Sequence, residues 1–226
     1  MTDALPSPWG PRWSRWLAWF LARVVWNTRV SGQENVPASG PVILAANHTG
    51  LADGPILAGA TPRGAHILVK AELFRGPVGA VLRAAGQIPV DRESGRSALA
   101  AGLGVLKRGG VVGVFPEGNR GRGDVADARA GVAWLALNSH APVVPVAVLG
   151  TRRTGEGVGH LPGMRRRLAV TFGEPVVVAR APGVNGREAV AAGNETIRQA
   201  LAALVEREVA RTGLAMPADD PNRGVL

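Results

Sequence analysis

The stretch from Pro41 to Asp53 has the sequence PVILAANHTGLAD. The apolar run that ends at Ala46 predicts a buried strand, and the glycines that follow it predict a tight turn into a helix. His48 and Asp53 are five residues apart in this turn. Because one helical turn takes 3.6 residues, the two side chains can meet only if the chain bends between them. We expect Gly50 to permit that bend.

A histidine that meets a carboxylate in this way can act as a base. Asp53 would accept a hydrogen bond from one ring nitrogen of His48, and the other ring nitrogen would stay basic. Asp53 also lies near the start of the predicted helix, where the helix dipole favours a negative charge. The same pair can equally be a structural hydrogen bond inside a protein, so the motif alone leaves both interpretations open.

Three further blocks follow the His48 block: GQIPVDR at 86–92, VFPEGNR at 114–120 and VVPVA at 143–147. Together, in this order, the four blocks resemble the glycerolipid acyltransferase family, and KAELF at 70–74 is similar to a further element of that family. The resemblance covers roughly residues 25–180. It implies an α/β fold and an acyl thioester donor, either acyl-CoA or acyl-carrier protein. It also implies a lysophospholipid acceptor, with 1-acylglycerol-3-phosphate as the first candidate.

The resemblance also implies roles for individual residues. His48 and Asp53 match the catalytic pair of the family. The residues that match the acceptor-binding blocks are Arg92, Glu117, Gly118 and Arg120. We expect Glu117 to order the polar end of the acceptor or to hold an arginine in place.

The basic residues of these blocks have a chemistry that suits a phosphate. A guanidinium group matches phosphate oxygens with paired hydrogen bonds, so Arg92 and Arg120 are candidates for a phosphate clamp. Alternatively, these two arginines pair with Asp91 and Glu117, since arginine and carboxylate pairs are common. Two more cations are candidates for a second ring of positive charge, Lys70 and Arg129.

Short apolar runs alternate with helical patterns along the chain, which predicts an α/β fold with a mainly parallel central sheet flanked by helices. The predicted strands are 42–46, 67–69, 88–90, 111–115, 143–148 and 168–172, with 176–178 as an edge candidate. The predicted helices after the His48 turn are 77–85, 97–107, 130–138 and 187–211. Ligands bind at the carboxyl ends of strands in such sheets, so we expect the His48 and Glu117 blocks to share one edge.

The N-terminal segment has a different pattern. Trp9, Trp13, Trp16 and Phe20 recur at three- and four-residue steps among arginines, which predicts an amphipathic interfacial helix within residues 1–28. We expect it to dock the protein peripherally on the cytoplasmic face of the cell membrane. Its apolar run at 16–22 is far shorter than the roughly 18 residues that span a bilayer. The alternative is a terminal helix that packs on its own domain.

The expected domain organisation is simple. Residues 29–213 are predicted to form the acyltransferase domain, and residues 214–226 a flexible C-terminal tail. Basic clusters at 152–153 and 165–167 suit a solvated surface, although lipid head groups or an acidic carrier protein would also fit them.

Composition narrows the function further. The net charge of +9 and the pI near 11.5 favour polyanionic partners. Five of the six tryptophans lie near the N-terminus and the other aromatic residues are scattered, which argues against a nucleic-acid surface and for an anionic membrane surface. The absence of cysteine excludes disulfides and thiol nucleophiles, and the four histidines lack metal-ligand spacing, so we expect neither a metal nor a cofactor.

Two other functions stay open at this point. A related acyltransferase could use glycerol-3-phosphate or another lyso-lipid as its acceptor. A non-enzymatic membrane lipid-binding protein would keep the basic surface and the tryptophan helix, but it would not need His48 with Asp53.

Overall fold

A computed structural model describes residues 5–91, 95–118, 122–123 and 130–219 of the chain. The strands in these ranges are β1 (Asn27–Ser31), β2 (Val42–Ala46), β3 (Ala65–Lys70), β4 (Ile88–Val90), β5 (Val111–Val114), β6 (Val143–Leu149) and β7 (Arg167–Phe172). The helices are α1 (Gly10–Phe20), α2 (Asp53–Ala60), α3 (Gly76–Ala84), α4 (Gly95–Lys107), α5 (Gly131–Ser139) and α6 (Gly186–Thr212).

The strands form one sheet in the order β1-β7-β6-β2-β5-β3-β4. Every neighbouring pair is parallel except β6 and β7, which are antiparallel. This confirms the predicted α/β fold with a mainly parallel sheet. All residues of β2 and β6 are buried, as expected for central strands that helices cover on both faces.

The alternation of side chains along β2 divides the core into two layers. Val42 and Leu44 face a cluster that includes Ile56 and Leu57 of α2. Ile43 and Ala45 face the opposite cluster, which contains residues of α4, α5 and α6. The sheet is therefore sandwiched between helical layers.

Two strand predictions differ from the structure. The first strand, β1, was not predicted, because its sequence NTRVS lacks an apolar run and only Thr28 among its residues is buried. The predicted edge strand at 176–178 is wrong, because this segment pairs with the sheet only through a bridge between Val176 and Val143. The other predicted elements are present, with ends shifted by at most two residues.

The strand directions define one functional edge, which we call the carboxyl edge. It is formed by the carboxyl ends of β2, β3, β5 and β6. Because β7 runs antiparallel to β6, the segment 150–166 that joins them lies at this edge. The strand β1 is parallel to β7 and therefore starts there too, so the end of the N-terminal helical segment reaches the same edge.

Helix α1 packs on the domain through small residues and exposes aromatic ones. Gly10, Pro11 and Ala18 are buried, and Gly59 of α2 lies so close to the Ala18 backbone that no Cβ would fit. The exposed large side chains of α1 and of the residue before it are Trp9, Trp13, Trp16, Leu17, Trp19 and Phe20. Packing on the domain is therefore observed, while membrane docking stays a prediction. No helix in the described ranges combines the length and apolarity needed to cross a membrane.

Candidate active site

The turn between β2 and α2, residues 47–53, brings the predicted pair together and is called the His48 turn below. The Nδ1 atom of His48 lies 2.8 Å from Oδ2 of Asp53. The same oxygen accepts hydrogen bonds from the backbone N–H groups of Thr49 at 2.7 Å and Gly50 at 2.9 Å. Asp53 is fully buried at the first position of α2. Three hydrogen-bond donors of the turn therefore converge on one carboxylate oxygen of Asp53.

The bend has a different cause from the expected one. Gly50 does not adopt the left-handed conformation that would require glycine, and a Cβ there would meet its neighbours at ordinary contact distances. The three hydrogen bonds to Asp53 close the turn instead. Both backbone donors belong to residues that precede α2, so the carboxylate closes the turn before the helix and does not cap the helix itself.

The imidazole of His48 is held on its face as well as at Nδ1. It stacks on Phe115 with ring centroids 4.1 Å apart and an interplanar angle of 20°. The His48 side chain is 11% exposed. Asp53 accepts from Nδ1–H, which makes Nε2 the unprotonated nitrogen of the neutral ring. Among the described residues, none is hydrogen-bonded to Nε2.

Glu117 and Gly118 follow β5, and Glu117 contacts the His48 turn. An oxygen of the Glu117 carboxylate, Oε1, accepts from the backbone N–H of His48 at 3.0 Å. Gly118 adopts a φ of 67° and donates its N–H to the carbonyl of Phe115 at 3.0 Å, a tight turn that favours glycine. This contact makes Glu117 a support of the His48 backbone. The expected contact of Glu117 with the acceptor or with an arginine stays a prediction.

The predicted cations divide into two groups. Lys70 is the last residue of β3 and reaches the carboxyl edge, half-buried, on the strand next to β5. The other three, Arg92, Arg120 and Arg129, lie outside the described residues. The phosphate clamp and its alternative, pairing with Asp91 and Glu117, therefore both stay predictions.

Two supports of the His48 turn were not predicted. The Asn47 side chain accepts from the N–H of Val148 at 2.7 Å and donates to its carbonyl at 3.0 Å. The hydroxyls of Thr49 and Thr151 are hydrogen-bonded at 2.8 Å. Both contacts tie the turn to the end of β6 across about 100 residues of sequence, a separation that local spacing cannot reveal.

The basic clusters after β6 are only partly surface. Arg152 is buried and binds the Asp219 carboxylate at 3.0 Å, so residues near the end of the described chain contact the domain. Arg166 binds Glu156 at 2.8 Å. Partial burial raises the pKa of Glu156, but hydrogen bonds from the Arg153 backbone and Arg166 outweigh burial and lower it overall. The expectation of a solvated surface is therefore wrong for Arg152 and for Arg166, whose side chain is 8% exposed. The flexible tail at 214–226 stays a prediction.

The described residues contain no group of three or more histidine and carboxylate side chains that could hold a metal ion. The described part of the carboxyl edge carries a histidine with its carboxylate after β2 and a lysine at the end of β3.

Comparison with known proteins identifies the class. A family model described as Acyltransferase matches residues 27–149, which include the His48 turn and the Glu117 block. The 1-acyl-sn-glycerol-3-phosphate acyltransferase of Bacillus subtilis is 32% identical over 174 residues, which cover 76% of this chain and 84% of the relative. The enzyme of the same name from Borreliella burgdorferi is 37% identical over 127 residues, covering 54% of this chain and 51% of the relative.

A solved structure agrees with this fold. The crystal structure of the 1-acyl-sn-glycerophosphate acyltransferase from Thermotoga maritima superposes with a TM-score of 0.69 and 22% identity, over 89% of this chain and 80% of that one. The chain belongs to the acyltransferase family. It is therefore an enzyme that transfers acyl groups, and a purely lipid-binding role is set aside.

Proposed function

We propose that this enzyme transfers a fatty acyl group from an acyl thioester to the free hydroxyl of 1-acylglycerol-3-phosphate in phospholipid synthesis. The observation that carries the proposal is the 2.8 Å contact between His48 Nδ1 and Asp53 Oδ2, which leaves Nε2 available at the carboxyl edge. The names of the relatives from Bacillus subtilis and Borreliella burgdorferi support this acceptor.

The proposed reaction is a single displacement without an acyl-enzyme. Nε2 of His48 takes the proton of the acceptor hydroxyl while that oxygen attacks the thioester carbonyl carbon. The tetrahedral intermediate then collapses, the C–S bond breaks, and the leaving thiolate takes the proton from the imidazolium. Asp53 holds the tautomer and stabilises the imidazolium through its hydrogen bond with Nδ1. The chain has no cysteine that could carry the acyl group.

The site geometry favours a rigid base over a mobile one. Phe115 fixes the plane of the imidazole, and Glu117 fixes the backbone N–H of the same residue. Asn47 anchors the start of the turn to β6. Pre-positioning of this kind lowers the entropic barrier for the attack, because the base need not be ordered at the moment of reaction.

Recognition of the acceptor phosphate is assigned by the family resemblance. Arg92 and Arg120 would hold the phosphate, with Lys70 and Arg129 as the outer charges. Of these, Lys70 is described, and its position on the carboxyl edge is compatible with this role.

The lipid substrate suggests a membrane location. The exposed aromatic side chains of α1, with the neighbouring Arg12 and Arg15, fit an interfacial helix that docks on anionic lipid at the cytoplasmic face. Arg12 and Arg15 lie over the rings of Trp9 and Trp16 at 4.5 and 4.7 Å, so charge and aromatic surface are presented together.

The direct test is release of free thiol from acyl-CoA and from acyl-carrier protein with four acceptors. These are 1-acylglycerol-3-phosphate, lysophosphatidylcholine, glycerol-3-phosphate and monoacylglycerol. We expect release with 1-acylglycerol-3-phosphate and little with monoacylglycerol, which has the same hydroxyl and no phosphate. Equal rates with these two acceptors would contradict phosphate recognition. Preference for either of the remaining acceptors would correct the substrate while leaving the chemistry intact.

A further inference from the structure

The segment that joins β6 to β7 displays apolar side chains at the carboxyl edge. Residues 150–166 are called the edge loop here. Leu161 is 58% exposed and Met164 is 82% exposed. Large apolar side chains are costly to leave in water, so two that are this exposed and three residues apart in one loop are candidates for a contact surface.

The tip of the loop is fixed against the domain. The indole N–H of Trp26 donates to the carbonyl of Pro162 at 2.8 Å, and the backbone N–H of Arg165 donates to the carbonyl of Val25 at 2.7 Å. Arg165 adopts a φ of 59°, a conformation that costs free energy for a residue other than glycine. These contacts hold Leu161 and Met164 in one place on the outer side of the loop.

The loop lies between the candidate active site and the aromatic helix. On one side, the N–H of Leu51 in the His48 turn donates to the carbonyl of Val158 at 3.0 Å. On the other side, the Arg165 side chain reaches the carbonyls of Arg23 and Val24 just after α1. Phe20 and Val24 are exposed there. The exposed apolar surface therefore continues from α1 onto the edge loop.

Positive charge surrounds this apolar surface. Arg23, Arg153 and Arg165 are exposed, and the carboxylate of Glu156 within the loop is already bound by Arg166. Exposed apolar side chains flanked by arginines suit an anionic bilayer, where the former enter the interface and the latter meet the head groups. An acidic carrier protein is the alternative partner of the arginines, and the test below distinguishes it from a bilayer.

We propose that the tip of the edge loop, Leu161 to Met164, inserts into an anionic bilayer and forms a second membrane contact beside the active site. The proposal rests on the proposed function, since it takes a membrane-borne acceptor as the reason for this surface. With α1 on one side and the His48 turn on the other, insertion of the loop would turn the carboxyl edge toward the lipid. The acceptor hydroxyl could then reach Nε2 of His48 while its acyl chain stays in the bilayer.

The absence of native cysteine allows a direct test with the full-length chain. Single cysteines at Met164→Cys, Leu161→Cys and Val177→Cys would carry a polarity-sensitive fluorophore. Val177 is the matched control, because it is 76% exposed and follows Val176, which pairs with the opposite end of β6. Vesicles would contain phosphatidylcholine with or without phosphatidylglycerol, and a doxyl-labelled lipid as quencher.

We expect labels at 161 and 164 to be quenched on anionic vesicles, and the label at 177 to stay in water. In parallel, L161S/M164S should bind anionic vesicles about 10-fold more weakly than V177S, since part of two apolar side chains no longer enters the interface. Its activity should fall more on a vesicle-embedded acceptor than on a short-chain soluble one.

Two results would overturn the proposal. In the first, doxyl lipid quenches the tryptophans of α1 but not the labels at 161 and 164. In the second, those labels respond to acyl-carrier protein and not to vesicles. Thiol release with soluble substrates is measured on the same samples, so failure of the proposed function, a wild-type chain without transfer, is distinguished from failure of the membrane contact.

Discussion

Replacement of Asp53 by asparagine isolates the contribution of its charge. Three donors converge on Oδ2, namely His48 Nδ1 and the backbone N–H groups of Thr49 and Gly50. The other oxygen, Oδ1, is buried and has no hydrogen-bond partner among the described residues. In Asp53→Asn, the amide oxygen should therefore take the position of Oδ2, because the amide NH₂ group would oppose two N–H donors there. The imidazole of His48 then keeps its tautomer, and only the negative charge of its hydrogen-bond partner is lost.

This orientation sets the expected magnitudes. A hydrogen bond to a charged group contributes about 1.5–3 kcal/mol, and the one with the imidazolium strengthens in the transition state, so kcat should fall about 10- to 150-fold. The buried amide NH₂ group has no acceptor, and two backbone N–H groups lose a charged partner. The free energy of unfolding should fall by about 2–4 kcal/mol.

Thiol release and urea denaturation on the same preparation measure both quantities. The control is Thr151→Val, which removes the hydrogen bond with Thr49 near the same turn and leaves Asp53 intact. It should cost about 1 kcal/mol of stability with little change in kcat. An Asp53→Asn enzyme with wild-type turnover would refute the role of Asp53. A loss of about 10⁴-fold would instead show that the tautomer had been reversed.

Three other perturbations probe separate features of the structure. Glu117→Gln should keep an oxygen that accepts from the His48 N–H, so we expect a modest fall in kcat and an unchanged KM for the lipid acceptor. A large rise in that KM would instead show that Glu117 contacts the substrate. Burial lowers the pKa of His66, so the unfolded chain binds the proton more readily and stability should fall as pH drops below about 6.5. Urea denaturation across this range should show a weaker pH dependence in His66→Gln, and an equal dependence would exclude His66 as its source. The double variant Trp13→Ser with Trp16→Ser should sediment less with anionic vesicles. Its melting temperature should be nearly unchanged, because both side chains are exposed. A lowered melting temperature with unchanged vesicle binding would show that the role of the helix is purely structural.

The structure changes how the helix itself should be tested. Removal of residues 1–23 would uncover α2 and the loop before β3, because Ala18 packs on Gly59 of α2 and Pro11 packs on Gly64 of that loop. A truncated chain could then lose membrane binding and folding together. Substitution of exposed tryptophans separates the two effects.

The sequence predicted most of the fold because the central strands are continuous apolar runs. The stretches at 42–46 and 143–148 could be placed without tertiary information, since both faces of such strands are buried. The polar strand β1 could not be placed in this way, because it is defined by its pairing with β7 at the edge of the sheet. Edge pairing of this kind leaves little local pattern.

The same contrast holds for the site. The contact of His48 with Asp53 was predictable because the residues are near in sequence and share one turn. The positions of Glu117 under the His48 N–H and of Phe115 on the imidazole depend on β2 and β5 being neighbours in the sheet. The Asn47 contact depends likewise on β6. Composition and spacing contain no information on which strands become neighbours.

The central claim, that Nε2 of His48 is the base for acyl transfer, is tested most directly by thiol release from acyl-CoA by His48→Ala in the presence of 1-acylglycerol-3-phosphate. Circular dichroism of the same sample serves as the folding control. A general base contributes about 10²–10⁴ in rate, so we predict a loss of that size with a native spectrum. A natively folded His48→Ala enzyme that keeps wild-type turnover would contradict the claim.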